Sequence, residues 1–501
     1  MMIDGNSFYV INGVETCLDG VEAVRGLKAA RCEGVEFMAE SELLLSLEER
    51  MFRGKYEMSW EEYRWFDANN LNGEENIRAF DLKAEDMRYR VPAKGWFINR
   101  QGFSADSSRV ALTIGLVIDR FTRGDFPTDV CDDRMYFRYM TPMAGGKLNF
   151  RDFAFRCFGY TVGNSWNWST ERLRLRISDV DYDMYVVSKD DASYLCIDNV
   201  EALTLRQFSK AVTAVLFGFG FVIQRIVLDE EYLFVLDGRE HGMPTAMRYM
   251  ALRESISGQY CIFTTNAYSV LKPMDKSLAT DVSALTEEWS ARLTPMSEGV
   301  LSTLCQMLYD HDGLINAVTM IVESSRAGLE VQGAVLSVAL EAINQIIPAI
   351  MEERGSVTSE CQHPMDPARW KRLRRQIEKM VKGSDLSEAE QRFFIDKKLN
   401  SANQPTNTDT LTAPFSQLGI SLADDEEKVA EYRNTFLHGR LPVRNVIGEA
   451  DSLYLICLKM HHLCSLLLLK LAGFDGYIVD MSQFSSPAPD PQRLFSVFRH
   501  I

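Results

Sequence analysis

Two hydrophobic periods divide the chain. Up to about residue 280, apolar positions alternate with polar ones or form short runs rich in β-branched and aromatic residues, as strands do. Arg172-Leu173-Arg174-Leu175-Arg176-Ile177 alternates throughout and predicts a strand with one apolar face and one arginine face. Phe8 to Ile11, Val110 to Ile118, Met184 to Val187, Tyr232 to Val235 and Tyr260 to Thr264 are further strand candidates. A helix is expected from Thr204, with Leu205, Phe208, Val212 and Val215 along one side.

After about residue 280 the period becomes helical. Leu301, Leu304, Cys305 and Leu308 recur at helical spacing, as do Leu314, Val318, Ile321 and Val322. From Val331 to about Ile347 the expected buried row is Val331, Val335, Val338, Ala342 and Ile346, widened by Leu336, Leu340 and Ile343, with Glu341 beside it. Pro348 should kink or end that helix. Polar loops are expected at 353–366 and 400–412, helices at Asp424 to His438 and from about Glu449 to Leu471, and an extended tail at Ser485 to Pro491. The fold class is therefore α+β, with a β-rich, sandwich-like or barrel-like region over 1–280 and an all-α bundle over 281–501.

Composition narrows the picture. The 501 residues are 46% apolar and 25% charged, an ordinary globular balance, long enough for two or three domains. With a net charge of -16, a generally basic nucleic-acid-coating protein is disfavoured. Residues 281–501 carry 21 Lys+Arg against 29 Asp+Glu, so the acidity is spread evenly and only local departures are informative. The start lacks the basic and apolar regions of a secretory signal. The longest apolar stretch, Ala211 to Ile223, falls short of the ~20 residues of a membrane span, so no membrane association is expected. The ten cysteines form no C-x-x-C, and a reducing cytoplasm is the expected compartment.

The helix 424–438 carries the candidate chemistry. Asp424, Asp425, Glu426 and Glu427 complement its positive end, and His438 followed by Gly439 suits its C-terminus and left-handed cap. Val429, Tyr432 and Phe436 form its inward row. Near the end stands Arg433-Asn434-Thr435-Phe436-Leu437-His438, where Asn434 lies one turn before His438 and could orient the imidazole. Arginine with a tunable histidine suits attack on a phosphodiester: histidine moves protons while a guanidinium neutralises charge building on phosphorus. The plain alternative is an arginine paired with its own helix's carboxylates and a histidine serving only as a cap.

Val338-Ala339-Leu340-Glu341-Ala342-Ile343 on one helix, followed after a basic stretch and loops by Arg433 to Gly439, resembles a HEPN domain. It is most similar to the ApeA-like branch, found at the C-terminus of bacterial anti-phage proteins behind a β-rich region. The resemblance spans roughly residues 300–475. It implies metal-independent endoribonuclease activity without a cofactor, on RNA with tRNA among the candidates, in anti-phage defence by abortive infection. It implies Arg433 and His438 as catalytic, Asn434 in the polar position beside the arginine, and Glu341 at an acidic helix position. It also implies a homodimer or higher homo-oligomer with a composite site, and an N-terminal region that senses something, such as a phage-derived activator. The Leu-rich helix 449–471 is the expected part of the dimer interface. The competing class is a HEPN-like module that dimerises and holds RNA or protein without cutting.

Arg369, Lys371, Arg372, Arg374, Arg375, Lys379 and Lys382 lie within fourteen residues, opposed only by Glu378, and phosphate contact is their natural use. Trp370 among them could stack on a base. The arginine face of Arg172, Arg174 and Arg176 is a weaker anion candidate. Cys457, His461 and Cys464 share a helical face, but three ligands in a leucine-rich helix favour core packing over metal. Gly145-Gly146-Lys147 lacks the rest of a P-loop, and Gly218-Phe219-Gly220 the third glycine of a dinucleotide fingerprint.

Overall fold

The structure is a computed structural model describing residues 9–33, 42–48, 51–59, 79–84, 86–106, 109–143, 152–154, 156–238, 242–272, 282–355, 365–400, 402–403, 407–443, 449–484 and 496–501. Phe8, Gly145 to Lys147 and Ser485 to Pro491 lie outside them. The fold is α+β, with a large mixed sheet in the N-terminal half and helices in the C-terminal half. Two compact units interleave along the chain: 1–257 with 295–309, and 258–294 with 310–501.

The first unit is built on one sixteen-stranded hydrogen-bonded sheet. Its order runs Val10–Ile11, Arg156–Val162, Ser165–Ile177, Val180–Lys189, Ala192–Asn199, Tyr136–Pro142, Glu230–Leu236 and Pro244–Ala251, then Arg120–Arg123, Met87–Val91, Phe80–Ala84, Ala29–Glu33, Glu42–Glu48, Met51–Ser59, Arg109–Ile118 and Trp96–Asp106. Phe52, Tyr89 and Phe121 from one half share a single core with Phe158, Tyr185 and Tyr249 from the other, and with Val14, Leu18 and Val21 of helix α1 (Val14–Arg25). The fully buried Arg138 is satisfied there: Nη2 donates to Asp198 Oδ2 at 2.8 Å and Nη1 to the Asn12 carbonyl at 3.0 Å.

Helix α2 (Leu205–Ile223) begins where expected, with Thr204 accepting from the Gln207 N–H as N-cap. Gly218 lies in this helix, where a Cβ would stand 2.8 Å from Cys305 Sγ, so that glycine serves close packing. The partner is α3 (Glu298–Asp310), whose periodicity grouped it with the C-terminal helices but whose residues to Tyr309 belong to the first unit. Its Glu298, Ser302 and Gln306 side chains, four apart, accept from the N–H groups of Arg174, Arg176 and Ser178, two apart, at 2.8, 3.0 and 2.6 Å. Beyond Arg172, where the ladder to the neighbouring strand ends, a helix face thus covers the edge of Ser165–Ile177.

In the second unit, α4 (Asp312–Ser324) precedes the long α5 (Leu329–Glu353), which Pro348 does not end. The proline is exposed, so the carbonyl it deprives of a donor can turn to water. There follow α6 (Pro367–Lys382), α7 (Glu388–Phe393) with a π-helical turn to Leu399, α8 (Asn407–Gln417), α9 (Asp424–Leu437) and α10 (Ala450–Leu471). Residues 407–412, expected as loop, are the start of α8. Tyr260 to Thr264 is not a strand; Ile262 and Phe263 are buried, and the Ile262 carbonyl accepts from Val479 N–H at 2.9 Å. Helices α5 and α10 are each long and apolar enough to cross a membrane, although 72% of the α10 window is buried inside the unit.

Helix α5 turns its expected core row outward. Leu336, Leu340, Ile343, Ile347 and Ile350 are buried, while Val331 and Val338 are 56% and 41% exposed. A helix apolar around most of its circumference has no unique inward face by periodicity, and here the larger leucine and isoleucine side chains are the ones that are buried.

Candidate active site

Helix α9 folds as its sequence demands at both ends. The Glu426 carboxylate accepts from Ala423 N–H at 2.9 Å, and Glu426 also pairs with Arg499. At the other end Gly439 has φ +68°, its N–H reaches the Phe436 carbonyl at 2.9 Å and Arg440 N–H the Thr435 carbonyl at 3.0 Å. That pair of bonds is a Schellman motif, which stops the helix and leaves His438 at its cap.

Val429 and Phe436 are buried against the rest of the unit, and Tyr432 is half-buried. Phe436 packs over Gly333 of α5, where a Cβ would lie 2.3 Å from the ring. This close approach puts Arg433 against α5. Its Nη2 pairs with Glu341, and its Nη1 donates to Asn434 Oδ1 at 2.7 Å. The Arg433 Nε is buried without an acceptor. Glu341 is half-exposed and its other oxygen accepts from Gln345 Nε2 at 3.4 Å. The structure therefore joins three of the expected residues, Glu341, Arg433 and Asn434, and pairs the arginine across helices and not with its own acidic first turn.

His438 is placed apart from them. Five helical residues advance about 7.5 Å along the axis and about 140° around it, so arginine and histidine leave α9 in different directions. The imidazole is exposed and makes no hydrogen bond or ion pair with the described residues. Asn434, expected to orient it, spends its carbonyl oxygen on Arg433. Sequence reasoning passed over Gly333; the signal was a glycine inside a long helix, where alanine is favoured by about 1 kcal/mol.

The basic residues gather on α6, capped by Asp366 on the Arg369 N–H at 2.9 Å. Arg369, Lys371, Arg372, Arg375, Lys379 and Lys382 are exposed, whereas Arg374 is tied to Glu378 at 2.8 Å. Trp370 lies on the half-buried side with Leu373, Ile377 and Val381, turned from the cations. Among the described residues no hydrogen bond or ion pair joins α6 to the Arg433 cluster.

The remaining candidates resolve into packing. Asp183 takes Arg172 and Arg174 at 2.9 and 2.8 Å, and Asp181 takes Arg176 at 3.4 Å, so the arginine face is answered by carboxylates. Cys457, His461 and Cys464 are buried in α10; burial pushes the Cys457 thiol up to about 12 and His461 down to about 3. No group of three metal-ligating side chains occurs among the described residues. The leucine face of α10, expected at a dimer interface, is covered inside its own unit, with Leu463 to Leu469 all buried.

Comparison with protein families, with curated proteins and with solved structures finds no match.

Proposed function

We propose that the C-terminal helical unit is a HEPN-type endoribonuclease that cuts RNA without a metal, with Arg433 and His438 as its catalytic pair. The observation carrying this reading is the Arg433 cluster: a guanidinium fixed between Glu341 and Asn434, with Nε lacking an acceptor, on the helix that ends in an imidazole with no partner among the described residues. Buried donors without partners are rare, and a phosphate oxygen is an acceptor suited to this one. In the proposed step His438 takes the proton of a ribose 2′-hydroxyl while that oxygen bonds to the adjacent phosphorus. The P–O5′ bond breaks, and O5′ takes a proton from a second imidazole, leaving a 2′,3′-cyclic phosphate and a 5′-hydroxyl. Arg433 offsets the charge on the phosphorane.

The second imidazole calls for a second copy of the chain. The outward row Val331, Val335 and Val338 on α5, close to Glu341, and the exposed Leu437 beside His438 give an apolar rim for a two-fold contact. This rim replaces α10 as the proposed interface. The cations of α6 are assigned to the RNA backbone. A cytoplasmic role in anti-phage defence by abortive infection, with the N-terminal unit receiving an activating signal, rests on the resemblance alone.

A non-cutting RNA- or protein-binding module is the second reading, favoured by one observation: both terminal nitrogens of Arg433 are engaged, and His438 does not touch it. Purified full-length chain incubated with total RNA and a chelator separates the two. Cleavage to cyclic phosphate ends supports the enzyme; retention of intact RNA supports the binding module.

A further inference from the structure

A cleft of about 720 Å³ opens in the first unit at the end of α1, within the range of small-ligand sites. Ala29, Ala84 and Met87 line it with Lys28, Arg31 and Lys83. All three cations are exposed, and none has a hydrogen bond or ion pair with the described residues. The sheet register sharpens the point. Lys83 stands directly opposite Arg31 on one neighbouring strand and directly opposite Arg88 on the other. Cross-strand like charges in register are destabilising, so a row of three is an arrangement that folding alone disfavours. Of the three, Arg88 is held by Asp81 at 2.6 Å. Lys83, in the middle, lies between two guanidinium-bearing residues. Lys28 by itself would merely complement the carbonyl end of α1, but Arg31 and Lys83 lie on strands and have no such explanation.

We propose that this cleft binds the phosphate of a small phosphorylated molecule of mononucleotide size, with Lys28, Arg31 and Lys83 as its anion contacts. Ala29, Ala84 and Met87 add apolar atoms to the lining for the non-phosphate part. The charge row is then a preformed demand for an anion, relieved on binding. The proposal is independent of the ribonuclease reading, since it concerns the other unit.

The test is calorimetric titration and thermal denaturation of the full chain with pyrophosphate, ADP and uncharged adenosine. Pyrophosphate and ADP are expected to bind and raise the first unfolding midpoint; adenosine at the same concentration is not. Lys28→Glu and Lys83→Glu should each weaken ADP binding about tenfold or more, the scale of one charge-assisted contact. Lys83→Ala should raise the midpoint of the ligand-free protein by about 1–3 °C while diminishing the ADP-induced rise. This opposite pair of signs is not expected of a merely structural lysine. Failure of pyrophosphate and ADP to bind at 10 mM (about a hundredfold above a 0.1 mM site) overturns the proposal. So does binding unchanged by the Lys28 and Lys83 substitutions, or binding lost in Arg372→Glu/Arg375→Glu, which would place the anion on α6.

Discussion

Gly333→Ala is a one-carbon change that tests how the candidate site is assembled. The added Cβ would lie 2.3 Å from Cε1 and Cζ of Phe436, and 2.9 Å from Cδ1. Carbon atoms pack at about 3.5–4.0 Å, so more than an ångström must be recovered. Phe436 is 4% exposed and cannot swing into solvent without losing its burial, so α9 must move from α5. Overpacking of this kind costs about 1–3 kcal/mol, which lowers the unfolding midpoint of the C-terminal unit by several degrees. The same movement draws Arg433, one turn before Phe436, from Glu341, two turns after Gly333. A misplacement of about 1 Å at a catalytic centre can lower rates about a hundredfold. Thermal denaturation and RNA cleavage measured on the same preparation check both numbers. Phe436→Leu in the Gly333→Ala background removes ring atoms from the clash and should recover part of both losses. A Gly333→Ala protein as stable and as active as its parent would refute the close α5–α9 approach, and with it the account of how Arg433 is held.

Arg372→Glu, Arg374→Glu and Arg375→Glu together should weaken RNA binding and flatten its dependence on salt, by up to about 0.7–0.9 in log–log slope per lost phosphate contact. Arg374 should contribute least, being tied to Glu378; an unchanged slope places RNA elsewhere. Val338→Glu should halve the mass in solution and abolish cleavage with folding intact, read by light scattering and activity across dilution. A fully active monomer would remove the need for a second imidazole. His461 is neutral in the folded chain, with its pKa held near 3 by burial against an ordinary 6.5. The unfolded chain therefore binds the extra proton first, and stability should fall as pH drops from about 6.5 towards 3, by at most about 1.4 kcal/mol per pH unit. His461→Phe should flatten this slope in acid denaturation; an unaltered slope would show that the imidazole is not kept neutral.

What could be read from sequence was local. The ends of α9 followed from four acidic residues and a His-Gly pair, and the start of α2 from Thr204 ahead of an apolar helical row, because caps involve neighbours in the chain. The strand through Arg172 to Ile177 was legible for the same reason. What its arginines meet was not, since Asp183 lies on the next strand and is apposed only by the register. The outward row of α5 was misread because both of its faces are apolar, and only packing against the other helices selects between them. The clash that requires Gly333 belongs to a pair of residues about a hundred positions apart. At the candidate site, Arg433, Asn434 and Glu341 were each singled out, but the pairing of Glu341 with the arginine across helices was not, and the Asn434 oxygen accepts from the arginine in place of orienting the histidine.

Arg433 and His438 are proposed to cleave RNA together, and single-turnover cutting of a defined RNA by the parent, Arg433→Ala and His438→Ala decides whether they do. His438 is exposed and has no partner among the described residues, so His438→Ala should cost no more than about 1 kcal/mol of stability, whereas Arg433 is mostly buried against Glu341 and its loss should cost about 1–3 kcal/mol in a protein that still folds. Each should lower the cleavage rate at least a hundredfold, the lower end of what a positioned acid–base group contributes. Folded variants that cut RNA at the parent rate, in chelator and with the same cyclic phosphate ends, would contradict the account.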